Sequence, residues 1–190
     1  MSAIILASQS PRRKMLLEWA EIPFEIVVAD IEETYPEDLP KHLVPEFIAA
    51  NKALAIREKL TNQDVCIIAA DTVVLLENEI LGKPLDTNDA IKSLEKLSGN
   101  LHEVITGVAI YYKNEMHQFS QTTRVKFHPL TKEQIEFYVN NYKPFDKAGA
   151  YAIQEWIGVI GIESIEGDFY NVMGLPVSSL VQKIKQLGVV

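Results

Sequence analysis

Apolar residues recur along this chain with two periods, and the period changes at polar or turn residues. Residues 3–7 predict a first strand, residues 24–29 a β-branched second one, and residues 65–76 a longer third. Glu77-Asn78-Glu79 reads as a turn into Ile80-Leu81. A helix is predicted over residues 11–20, with Met15, Leu16, Trp19 and Ala20 on one stripe. A second covers residues 45–60, with Phe47, Ala50, Leu54 and Leu60 as its apolar positions. Between them, residues 30–40 form an acidic loop with prolines at 36 and 40. Residues 87–97 predict a helix opened by a polar cap and closed at Gly99. Residues 102–112 and 116–127 flank Lys113-Asn114-Glu115 as a hairpin. Thr131 caps a helix that runs to Asn141, and Gln134 completes a capping box. A loop over residues 141–149, a strand-rich stretch over 150–165 and a closing helix over 175–187 complete the chain. Helices and strands alternate early and a hairpin follows, which predicts an α/β fold with a mixed sheet.

Composition narrows the classes. The chain has 190 residues, 47% hydrophobic and 23% charged, enough for one sizeable core or one domain with two lobes. No apolar run approaches the roughly 18 residues needed to span a bilayer. No basic region precedes the first short apolar run, so a cytoplasmic protein is expected. The single cysteine, Cys66, lies in an apolar run and reads as a small buried hydrophobe. A formal net charge of −8 has the wrong sign for a general nucleic-acid surface. An anionic small molecule would need a local cationic pocket or a bridging metal ion.

Four features carry chemistry. In Ser8-Gln9-Ser10-Pro11-Arg12-Arg13-Lys14, Ser10 is a good N-cap and Pro11 suits the first helical position. A strand therefore turns into a helix N-terminus, whose free N–H groups suit an anion. Cations in a first helical turn oppose the helix dipole by up to about 1 kcal/mol each. Rule-breaking of that kind marks either a phosphate clamp or a solvated helix start. Second, Asp71 interrupts the apolar run Ile67-Ile68-Ala69-Ala70-Asp71-Thr72-Val73-Val74. A buried carboxylate needs a metal, a cation or backbone donors. Asp71 suits metal binding or water activation, with a turn-capping structural role as the alternative. Third, Asp30-Ile31-Glu32-Glu33 offers oxygen ligands for Mg²⁺ or Mn²⁺, or a plain acidic surface loop. Fourth, Lys52, Lys83 and Lys147 sit beside small or turn residues, where each reads as a phosphate contact or as an exposed lysine. The chain shows no Walker glycine loop, HExxH pair or GxSxG elbow.

Taken together, these segments resemble the Maf family of nucleotide pyrophosphatases. The resemblance rests on Leu6-Ala7-Ser8-Gln9-Ser10-Pro11-Arg12-Arg13, Glu32-Glu33, Ala69-Ala70-Asp71-Thr72-Val73, Leu81-Gly82-Lys83-Pro84, Leu97-Ser98-Gly99 and Val104-Ile105-Thr106-Gly107-Val108. It continues through Asp146-Lys147-Ala148-Gly149-Ala150-Tyr151-Ala152-Ile153-Gln154 and Gly167-Asp168-Phe169-Tyr170-Asn171-Val172-Met173-Gly174-Leu175-Pro176. The pieces run in the family's order along the whole chain.

The resemblance implies a single domain over residues 1–190. Its fold would be α/β: an elongated mixed β-sheet flanked by helices, with two lobes and a central cleft, as in inosine triphosphate pyrophosphatases. It implies metal-dependent hydrolysis of nucleoside triphosphates to monophosphate and pyrophosphate. Asp71 matches the family's proton acceptor. Ser8, Arg12, Arg13, Lys52 and Lys83 match the phosphate path, and Glu32, Glu33 and Asp71 the divalent metal (Mg²⁺ or Mn²⁺). Arg12, Thr72 and Gln154 fall where substrate subgroups differ, and Gln154 resembles the subgroup acting on dTTP and UTP. An amide can both donate to and accept from a pyrimidine. A homodimer is implied as well. The chain departs from the pattern at Glu155, where the family usually has glycine. The alternatives are the same chemistry on another base, including 7-methyl-GTP, and a nucleotide-binding regulator of cell division.

Overall fold

The computed structural model describes residues 2–28, 31–61 and 64–190. Ala29, at the end of the predicted second strand, and Asp30, at the head of the acidic loop, lie outside the described residues. The elements are β1 (Ala3–Leu6), α1 (Pro11–Trp19), β2 (Glu25–Ile26), α2 (Val44–Lys59), β3 (Val65–Leu76), β4 (Glu79–Leu81) and α3 (Thr87–Leu97). They continue with β5 (Leu101–Tyr112), β6 (Glu115–Phe127), α4 (Lys132–Tyr142), α5 (Trp156–Gly161), β7 (Ile162–Glu166), α6 (Phe169–Val172) and α7 (Val177–Gln186). Single 3-10 turns at Lys41–Leu43 and Ala148–Ala150 interrupt the loops. Among the described residues, seven strands form one mixed sheet in the order β2-β1-β3-β5-β6-β7, with β4 paired on β3. β1 runs parallel to both β2 and β3, whereas β4 is antiparallel to β3 and β7 to β6. The mixed α/β sheet expected from the sequence is therefore present.

The chain forms two compact units. One comprises Met1–Asp71, Thr106–Gln121 and Gly174–Val190, the other Thr72–Ile105 and Thr122–Met173. β3 passes from the first to the second between Asp71 and Thr72.

In the first unit, α2 covers one face of the sheet. Its Ala49, Ala53 and Ile56 pack on Ile5 and Ala7 of the first strand's face, on Val65, Ile67 and Ala69 of β3, and on Ala109 of β5. Most of these side chains are small, so helix and sheet approach closely. Gly107 of β5 shows how closely: a Cβ there would stand 2.2 Å from the backbone nitrogen of Glu46 in the first turn of α2. Cys66 is fully buried, and burial pushes its thiol up to about 12, which leaves it an inert hydrophobe.

The second unit packs α3 against α4. Asp86 caps α3 through the Asp89 N–H, and Thr131 with Gln134 forms the expected capping box on α4. His102, Phe127 and Tyr151 meet in a buried aromatic cluster, with ring centroids 5.1–5.5 Å apart.

Four expectations need correction. The second strand shrinks to Glu25–Ile26, both exposed. The buried face of α1 is Arg13, Leu16 and Leu17, and Trp19 is 61% exposed. The buried face of α2 is Val44, Pro45, Ile48, Ala49, Ala53 and Ile56, while Leu54 points outward. Ala49 and Ala53 let the helix lie close to the sheet, which turns that stripe inward. Residues 150–165 are not strand-rich: a 3-10 turn ends at Ala150, α5 follows, and strand begins at Ile162.

Candidate active site

The site in the first unit begins where β1 ends. Ala7 still donates to the Ile68 carbonyl (2.8 Å), and the chain then turns into α1. Ser10 caps that helix by accepting from the Arg13 N–H, with Pro11 in the first turn. Buried Ser8 sits below the turn, and its Oγ accepts from the Ser10 N–H (3.2 Å) and from Arg13 Nη1 (3.2 Å). Arg13 Nε donates to the Gly174 carbonyl (2.7 Å), and Gly174 holds that carbonyl in place at φ 109°. Arg13 is thus a buried cation tying the Ser8–Ser10 turn to the start of the last segment. Burial pulls its pKa down and Arg12 beside it does the same, while Asp71 and then Glu33 oppose them.

Asp71 reaches this place by strand alternation. Side chains of β3 change face at every residue, so Val65, Ile67, Ala69 and Asp71 all point to the side covered by α2. Lys52 lies on α2 next to buried Ala53, and its Nζ stands 2.7 Å from Asp71 Oδ1. The same ammonium stands 2.6 Å from Glu33 Oε1. One cation therefore bridges two carboxylates, with Lys52 and Asp71 nearly buried and Glu33 reaching in from the exposed acidic loop. Glu32 beside it is exposed.

Whether a divalent metal suits these residues turns on the donor set. Among the described residues, no group of three or more His, Cys, Asp or Glu side chains converges. Two carboxylates do converge on a cation, and Mg²⁺ commonly takes one or two carboxylates and completes its shell with water and substrate phosphates. Asp71 and Glu33 fit such an ion.

The other expected residues belong to the second unit. Thr72 follows Asp71 on β3 and is half-buried. Lys83 is exposed in the turn after β4, and the adjoining Gly82 carbonyl accepts from the Gly149 N–H (3.1 Å). Gln154 is exposed between the 3-10 turn at 148–150 and α5. Its neighbour Glu155 accepts from the Tyr138 hydroxyl and stands 3.5 Å from Lys147 Nζ.

A model of the Maf family, described as Maf-like protein, matches residues 3–187. The chain belongs to this family. Among the similar curated proteins is a dTTP/UTP pyrophosphatase of Cytophaga hutchinsonii, 49% identical over 184 residues, covering 97% of this chain and 84% of that one. A dTTP/UTP pyrophosphatase of Porphyromonas gingivalis is 49% identical over 187 residues (97% and 94% covered). One from Thermosipho africanus is 51% identical over 177 residues (93% and 89% covered). A solved nucleoside-triphosphatase / dITP/XTP pyrophosphatase of Mycobacterium abscessus reaches TM-score 0.41 at 15% identity, covering 67% of this chain and 75% of its own, too loose a likeness to carry an argument.

In this Maf-like chain, the geometry brings Ser8, Arg13, Glu33, Lys52 and Asp71 into one connected set, with Arg12 adjoining Arg13. Gly174 belongs to the same set, and its signal in the sequence was glycine ahead of Leu175-Pro176. In the sequence Lys147 reads as a phosphate contact or an exposed side chain, whereas it is buried between Asp146 and Glu155. No motif marks Tyr138.

Proposed function

We propose that this Maf-like protein hydrolyses dTTP and UTP between the α- and β-phosphates, releasing the monophosphate and pyrophosphate. The observation that carries the reading is the cluster at the end of β1, where Lys52 bridges Asp71 and Glu33 beside an arginine-rich helix N-terminus. The names of relatives at about half identity support the same activity and substrates.

Each side chain has a task in this reading. The N-terminus of α1 and Arg12 receive phosphate oxygens through N–H donors. Ser8 uses its lone pairs on Ser10 and Arg13, which turns its O–H outward as a donor to substrate. Arg13 fixes that turn and adds positive potential from beneath. Lys52 fixes Asp71 Oδ1, so Oδ2 takes the proton of the attacking water. Asp71 and Glu33 would hold a divalent ion (Mg²⁺ or Mn²⁺), which supplies charge neutralisation on the triphosphate. Glu33 suits that role better than Glu32 because it meets the same cation as Asp71. Lys83 is assigned to a phosphate, and Thr72 and Gln154 to discrimination of the base. Gln154 favours a pyrimidine, since a neutral amide pairs with its donor–acceptor edge. A homodimer is carried over from the family resemblance. Among the described residues, no helix is long and apolar enough to cross a membrane.

The test is pyrophosphate release from a nucleotide panel that includes 7-methyl-GTP, with Mg²⁺ and with Mn²⁺. Preference for dTTP and UTP is expected, with Asp71→Asn inactive. Equal turnover of all bases would sink the substrate assignment, and an active Asp71→Asn would sink the base assignment.

A further inference from the structure

Residues 147–155 are closed into a loop by side chains at its two ends. Lys147 Nζ stands 3.5 Å from Glu155 Oε1 and 2.7 Å from Asp146 Oδ1. The other oxygen of Glu155 accepts from the Tyr138 hydroxyl, and that hydroxyl itself accepts from the Ala152 N–H (3.1 Å). Inside the loop, the Glu155 N–H donates to the Ala152 carbonyl (3.1 Å). Gly149 and Ala150 both lie at positive φ, 66° and 58°. An alanine persists there only where its surroundings over-determine it. Below the loop, Gly158 of α5 presses on the Ile153 carbonyl so closely that a Cβ would stand 1.7 Å from it.

Two details single out Glu155. It is the N-cap residue of α5, yet its side chain makes no capping bond and turns back to Tyr138 and Lys147. Among described residues 147–155, Gln154 is the one exposed side chain, and it sits directly before Glu155. A single projecting amide is thus mounted on a segment whose other side chains are buried or half-buried.

We propose that Glu155 is a specificity-positioning residue: its clasp on Tyr138 and Lys147 fixes where Gln154 meets the base. The inference rests on the assignment of Gln154 as base reader. Paired hydrogen bonds to a base edge fail when the reader moves by about 1 Å, a displacement that can cost up to about a hundredfold. The acidic residue standing where the family usually has glycine is then part of the reader's mount.

The experiment is a double-mutant cycle with dTTP and dCTP, which share sugar and triphosphate and differ in the base edge and the 5-methyl group; UTP with CTP repeats the cycle for the edge alone. Glu155→Ala should raise KM for dTTP about tenfold with kcat within about twofold, and lower the dTTP/dCTP preference by a similar factor. Gln154→Ala should do the same, and the double variant should be no worse than Gln154→Ala alone. Glu155→Gln keeps an acceptor for the Tyr138 hydroxyl and should lie between Glu155→Ala and wild type. Should Glu155→Ala fail to fold by circular dichroism, Glu155→Gln takes its place in the cycle. Additive losses, or a fall in kcat with preference intact, would give Glu155 a purely structural role and overturn the inference. A wild type without dTTP preference would instead defeat the substrate reading beneath it.

Discussion

His102 is buried with Nε2 2.8 Å from the Tyr151 hydroxyl, and its Nδ1 has no hydrogen-bond partner among the described residues. A second ring proton would put a charge and an unanswered N–H against Phe127 and Tyr151. Burial accordingly lowers its pKa from 6.5 to about 4. In the unfolded chain the imidazole takes a proton near its ordinary 6.5. Between those values the unfolded state binds more protons, so stability is complete above pH 6.5 and lost as pH falls toward 4. The difference amounts to about 3 kcal/mol. His102→Gln, which cannot titrate, should flatten the fall in Tm between pH 6.5 and 4; equal slopes for variant and wild type would show His102 to be uninvolved. None of this was legible in the sequence, where no motif marks His102. Asp71 was legible because a carboxylate in an apolar strand breaks a rule. The bond of Lys52 to Asp71 was not, because a lysine on a helix reads as a phosphate contact or as solvent-facing until its charge is answered. Arg13 fell between the two, since its place in the first turn signalled function but not burial.

At the scale of elements, local chemistry was the better guide. The helix over Thr87–Leu97, the capping box at Thr131 and the hairpin at Lys113-Asn114 all follow from side-chain-to-backbone bonds or turn preferences that neighbouring residues determine. Which face of a helix is buried depends instead on what lies opposite, and there α1 and α2 were misread. Residues 150–165 failed for a related reason. Their β-branched run fits a strand, but the left-handed pair at Gly149-Ala150 and the close contact of Gly158 with Ile153 break it into turn and helix. The contact between α2 and β5 yields a prediction at this scale. Gly107→Ala would drive a Cβ to 2.2 Å from Glu46 N and 2.4 Å from its Cα, both backbone atoms that no rotamer change can clear. The helix must lift from the sheet, carrying Lys52 away from Asp71. A loss of more than about 3 kcal/mol by denaturant titration is expected, with activity falling even where the variant remains folded. An unchanged midpoint would mean that α2 is not held at this distance.

Over the whole molecule, the formal charge of −8 makes the arrangement of the few cations decisive. Lys52 neutralises part of the charge that Asp71 and Glu33 would otherwise concentrate at the end of β1, and Arg13 lies beneath them. The fold therefore does not depend on a metal ion to offset this carboxylate pair. Protein stripped by EDTA should melt within about 2 °C of the untreated protein while losing pyrophosphatase activity, which Mg²⁺ or Mn²⁺ restores. Lys52→Met should behave in the opposite way. With the ammonium gone, two facing carboxylates repel each other, so the stripped variant should melt several degrees lower and recover when Mn²⁺ is added. Calorimetry should also show Mn²⁺ binding the nucleotide-free variant more tightly than nucleotide-free wild type, because no ammonium beside the carboxylate pair repels the ion. Were EDTA to lower the wild-type Tm as far as it lowers that of Lys52→Met, the metal would be structural, and Lys52 would not be the cation that balances this pair.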